Sequence, residues 1–81
     1  MTLPLFKLIE EAGEVMQVCG KLLQCPDGKY YNAKGDLYEQ LNDELADLLA
    51  AMHFVMERYP SLDINEFNNR YNRKLKRLMG E

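Results

Sequence analysis

Residues 43–56 read Asp43-Glu44-Leu45-Ala46-Asp47-Leu48-Leu49-Ala50-Ala51-Met52-His53-Phe54-Val55-Met56. The acids stand at the front of this stretch and the apolar residues behind. Around it, Leu37, Leu41, Leu45, Leu48, Met52, Val55 and Tyr59 recur at steps of three and four, the spacing of one helix face. Asp36 and Glu39 form a capping box before the stripe, and Pro60 ends it. The spacing therefore predicts a helix from about Asp36 to Tyr59. In its second half Leu48, Leu49, Ala51, Met52, Phe54, Val55 and Met56 cover most of the circumference. A helix apolar nearly all round is buried nearly all round. Three helices drawn from 81 residues cannot surround it. The expected fold is all-α: an antiparallel helical bundle of three main helices per chain, completed by homo-oligomerisation into a four-helix-bundle-type core.

Before this helix, Leu5, Leu8, Ile9, Ala12, Val15, Met16, Cys19, Leu22 and Leu23 follow the same period. A helix is expected over Leu3 to Gln24, with Thr2 as its cap and Pro4 at an early position that tolerates proline. Cys25-Pro26-Asp27-Gly28 should end it, because proline cannot continue a helix and Asp-Gly favours a turn. Residues 25–35 are then the irregular link. After Pro60, Asp63 and Glu66 form a further capping box. Ile64, Phe67, Tyr71, Leu75 and Leu78 give a third stripe, running to about Met79. His53 is expected in the core or an interface, and Met16, Met52 and Met56 in packing.

The whole chain, residues 1–81, reads as one domain near the lower size at which a core stands alone. Hydrophobic residues make up 47% and charged residues 28%, which excludes a disordered tail. The net charge of -3 argues against coating nucleic acid through bulk charge. The longest apolar run, Leu48 to Met52, is far too short to span a bilayer. The N-terminus has no signal-peptide pattern. Cys19 and Cys25 read as free thiols, and the expected location is cytoplasmic. The charge is unevenly spread: residues 1–69 carry 12 acids against 5 bases, while residues 70–81 carry 5 bases against 1 acid.

Four acidic pairs have spacing i, i+3, against about two expected by chance. Asp36/Glu39 and Asp63/Glu66 are explained as helix caps. Glu11/Glu14 and Glu44/Asp47 are mid-helix. At about 100° per residue, Glu11 and Glu44 fall on the shoulders of their apolar stripes, with Glu14 and Asp47 further out. Two such helices packed antiparallel bring four carboxylates towards one place. Clustered carboxylates repel, and a hard divalent cation with oxygen ligands relieves that repulsion. The competing reading is of solvated acids paired with Lys7, Lys21 or Lys34.

Glu10-Glu11-Ala12-Gly13-Glu14-Val15, followed by Asp43-Glu44-Leu45-Ala46-Asp47-Leu48-Leu49, resembles the ExxE…ExxD signature of the MazG-like, all-α nucleoside triphosphate pyrophosphohydrolases. The likeness covers roughly Leu5 to Met79. Lys21, seven residues after Glu14, and the basic ending Arg73-Lys74-Leu75-Lys76-Arg77-Leu78 add to it. The resemblance implies a Mg²⁺-dependent enzyme, with Mn²⁺ as a substitute, that cleaves a (deoxy)nucleoside triphosphate to the monophosphate and pyrophosphate in nucleotide-pool control. It implies Glu11, Glu14, Glu44 and Asp47 as metal ligands and catalytic groups, with Glu11 orienting or deprotonating the attacking water. It also implies that Lys21, Arg70, Arg73 and Lys74 meet phosphate, in a homo-oligomer that is a dimer or a tetramer.

The chain departs from the family at its start, because many relatives carry an extra helix before ExxE that contributes to the base pocket. Base recognition then falls to another chain, to Phe6 or Phe54, or to the link with Tyr30 and Tyr31; the alternative is a reduced relative with weak or lost activity. Asn68, Asn69 and Asn72 are able to hydrogen-bond sugar or phosphate. Two alternatives remain beside this reading. One is phosphoribosyl-ATP pyrophosphohydrolase, which shares the carboxylate scheme. The other is a non-catalytic, oligomeric helical binding protein. A nucleic-acid reader ranks last, since the basic helix has no interleaved aromatic or glycine-rich pattern.

Overall fold

The computed structural model describes residues 2–29 and 35–80, and these form three α-helices with no strand among them. α1 spans Leu3–Gln24, α2 spans Leu37–Arg58 and α3 spans Ile64–Leu78. The helix ends follow the sequence signals closely. Asp36 caps α2 by accepting a hydrogen bond from the Tyr38 N–H at 2.6 Å. Asp63 caps α3 by accepting from the Asn65 and Glu66 N–H groups at 2.9 and 3.2 Å. Thr2 is a correction: its side chain makes no capping bond. A cap side chain bonds the N–H of the second or third helical residue. Thr2 has φ -113° and ψ -20°, in the helical region rather than the extended region from which a cap side chain reaches those groups, and the second of them, Pro4, has no N–H to offer.

α1 and α2 pack together as an antiparallel hairpin, and α3 barely touches either. The hairpin register is set at the link. Cys25 N–H closes α1 on Lys21 O, and Gly28 N–H then bonds Cys25 O at 2.9 Å. The Leu37 N–H donates to Gly28 O at 2.9 Å, which ties the start of α2 to the end of this turn. The Tyr38 hydroxyl donates to Pro26 O at 2.6 Å and fastens the same corner. Leu37 is completely buried there. Gly28 sits at φ 86°, in the left-handed region, and an added Cβ would lie 2.9 Å from Tyr38 Cδ2. Gly28→Ala should therefore cost about 1–3 kcal/mol. At this size that lowers the melting temperature by at least about 4 °C. A melt indistinguishable from wild type would refute this account of the corner.

Among the described residues the buried hydrophobic core of one chain is Val18, Leu37, Ala51 and Val55. Around it, apolar side chains face water: Phe6 is 64% exposed, Met16 73%, Leu23 84% and Leu78 71%. The whole apolar stripe of α3 is exposed. The chain is a flat plate of 43 × 37 × 15 Å with a radius of gyration of 15.2 Å. A compact chain of this length has a radius near 12 Å. The second half of α2 is correspondingly buried on one side only. Ala51 and Val55 are inside, Met52, Phe54 and Met56 half-buried, and Leu49 exposed. His53 is exposed rather than in the core of the chain; it borders an open groove between α2 and the start of α3, with Met56, Ile64 and Phe67. Tyr30, Tyr31 and Lys34, read as parts of the link, lie outside the described residues.

Candidate metal centre

The i, i+3 spacing puts the two acids of each pair one turn apart on the same side of their helix. The antiparallel register then makes them meet. One carboxylate oxygen from each of Glu11, Glu44 and Asp47 lies within 4.8 Å of the other two. Glu11 and Glu44 are half-buried, as their positions on the stripe shoulders require, and Asp47 is exposed. Glu14, one turn further along α1, is exposed and stands outside this trio. It remains close enough for its charge to act on Glu44.

The electrostatics of the trio are unfavourable as they stand. Loss of water around Glu44 pushes its carboxyl pKa above the usual value of 4.5, and the charges of Glu14, Asp47, Glu11 and Asp43 push it the same way. Among the described residues no ion pair joins Glu11, Glu44 or Asp47 to a base. Lys7 pairs instead with Glu10, at 3.4 Å and largely in water, where such a contact contributes little.

Three carboxylates and no soft donor suit a hard cation. Mg²⁺ holds oxygens at about 2.0–2.1 Å, so neighbouring ligands around it sit about 3 Å apart and opposite ones about 4 Å. The carboxylate oxygens lie within 4.8 Å of one another, so an ion of this size would need them to draw closer together. Glu11, Glu44 and Asp47 are the residues that would hold such an ion.

The cations named from the sequence are not gathered there. Lys21 is half-buried in the last turn of α1 and does not line the groove that contains Glu11 and Asp47. Arg70 and Lys74 border an apolar groove formed by Met52 of α2 with Phe67, Tyr71, Leu75 and Leu78 of α3. Arg70 and Arg73 also border a second groove with Lys76 and Arg77. Neither groove includes a carboxylate of the trio. What does accompany the trio is a groove of about 460 Å³ lined by Lys7, Glu11, Asp47, Ala50, Ala51 and Phe54. The spacing of Lys7 four residues before Glu11, and of Phe54 seven after Asp47, is the signal in the sequence that points to them. No family model, curated protein or solved structure matches the chain.

Proposed function

We propose that the protein is a Mg²⁺-dependent nucleoside triphosphate pyrophosphohydrolase that acts as a homo-oligomer. The observation that carries the reading is the convergence of Glu11, Glu44 and Asp47 from two helices, where one carboxylate oxygen of each lies within 4.8 Å of the other two. An acid cluster that only solvates a surface has no need of that convergence, and it costs the fold repulsion. A divalent ion bound there would neutralise triphosphate charge and favour the charge that builds on phosphorus and on the leaving pyrophosphate. The chain's own carboxylates orient a water against the α-phosphorus, with Glu11 or a neighbouring carboxylate accepting its proton. The bond from that phosphorus to the bridging oxygen breaks, leaving the monophosphate and pyrophosphate. Lys7, on the groove wall beside Glu11, is placed to meet a phosphate oxygen.

The homo-oligomer is supported by the small core and by the exposed α3 stripe. The partner is a second copy because both the second half of α2 and the stripe of α3 leave apolar side chains exposed in one chain, Leu49 on α2 and Ile64, Phe67, Tyr71, Leu75 and Leu78 on α3. The basic end of the chain also complements its acidic body, +4 over residues 70–81 against -7 over residues 1–69. Among the described residues no helix is long and apolar enough to cross a membrane.

The test is incubation of the purified protein with a panel of NTPs, dNTPs and phosphoribosyl-ATP plus Mg²⁺ or Mn²⁺, scored for pyrophosphate. Release from one or more nucleoside triphosphates is expected. No turnover of any nucleotide, together with no metal-dependent rise in melting temperature, would leave the non-catalytic binding protein as the better reading.

A further inference from the structure

The groove beside the carboxylates has a shape that the metal reading does not explain. Asp47, Ala50, Ala51 and Phe54 follow one another at i, i+3, i+4 and i+7, so they line one face of α2. Asp47 and Phe54 are two turns apart, or about 10.5 Å along the axis. Between them only the methyl groups of Ala50 and Ala51 rise from the helix, which leaves a trough open from the acids to the ring. The Glu11 and Lys7 side chains of α1 form its other wall. At about 460 Å³ it falls within the range of small-molecule sites.

The far end of the trough is aromatic. Phe54 is half-buried, and the Arg58 guanidinium lies 5.4 Å from its ring centroid. That contact favours a fixed ring through cation–π attraction and keeps a cation at the end opposite the acids.

Building on the proposed enzymatic reading, we infer that this trough takes the nucleoside half of the nucleotide, with the base stacked on Phe54. A triphosphate anchored through a metal at the acids must send its sugar and base somewhere. The trough runs from that anchor along α2, over a floor small enough for a ribose, to a π-surface about one nucleotide away. Stacking suits any base, since every base has a π-face. Phe54 is thus a substrate-binding residue, and Ala50 and Ala51 set the depth of the trough.

Calorimetry in Mg²⁺ with a non-hydrolysable α,β-methylene nucleoside triphosphate and, separately, with inorganic tripolyphosphate tests this. In Phe54→Ala, the affinity for the nucleotide relative to tripolyphosphate should fall about 10- to 100-fold. Phe54→Tyr should restore the ratio, and in turnover the loss should lie in KM more than in kcat. An unchanged ratio in a folded Phe54→Ala protein would overturn the inference. Nuclear Overhauser contacts between base protons and the Phe54 ring give a second readout that needs no turnover. Contacts without turnover would sink the enzyme and keep the nucleoside trough. Turnover without contacts would keep the enzyme and sink the trough, and no nucleotide binding at all would overturn both.

Discussion

Glu44→Gln should lower kcat/KM for pyrophosphate release on the order of 10³-fold, while raising the melting temperature of the metal-free protein. The two effects have one origin. Glu44 is the carboxylate whose pKa is raised, first by desolvation and then by Glu14, Asp47, Glu11 and Asp43. A neutral amide removes the charge these groups oppose, so the metal-free fold gains. The same change removes a charged oxygen ligand, and losing one preorganised electrostatic contact at a reacting centre costs about 10²–10³-fold or more. The stabilisation that Mg²⁺ or Mn²⁺ gives the wild type should shrink with it. The pH dependence has a definite sign. A carboxylate whose folded pKa is raised stabilises the fold when protonated, below its unfolded value. That contribution is lost as pH rises through the folded pKa. Around Glu44, metal-free stability should therefore fall as pH rises from 4.5 through the region just above it. Metal-dependent stabilisation should do the reverse, since ligands bind deprotonated. Melts with and without metal, in wild type and Glu44→Gln, check both. Activity in Glu44→Gln equal to wild type would remove Glu44 from the site.

Leu75→Asp is expected to break the assembly and collapse its stability. In one chain Leu75 is 42% exposed on α3, and α3 barely touches the hairpin. If the single chain were the working form, a substitution there would change stability by no more than about 0.5 kcal/mol. If a second copy covers the stripe, the new carboxylate is buried without a partner and costs several kcal/mol. Sedimentation should then show wild type as a dimer or larger and Leu75→Asp as monomer or unfolded chain. The wild-type melting temperature should also rise with protein concentration. A wild-type monomer with a concentration-independent melt would contradict the oligomer. Leu75→Ala, which adds no charge, should fall between the two.

These predictions draw on different layers of the molecule. The ends of α1, α2 and α3 are legible in the sequence because each depends on residues within a turn: Pro26 and Gly28 after α1, Asp36 before α2, Pro60 and Asp63 before α3. Thr2 fails as a cap for an equally local reason, its own helical backbone angles beside a proline that lacks an N–H. The shoulder positions of Glu11 and Glu44 are legible too, and their half-buried state follows from the helical period. The exposure of His53 is not legible that way. A helix that reads as apolar all round has its far side covered only if another chain covers it.

The sequence by itself determined three amphipathic helices, the mid-helix carboxylate pairs and the apolar residues around most of the second half of α2. Only the tertiary structure decided that Glu11, Glu44 and Asp47 converge while Glu14 stands a turn away. Only there do Lys7 and Phe54 join the acids, while Arg70, Arg73 and Lys74 lie along other grooves. The physical reason is the difference in range. Periodicity and caps come from geometry within a few residues, whereas distances between helices depend on register. Here the register is set at one corner, where Leu37 is buried and bonded to Gly28 across the link.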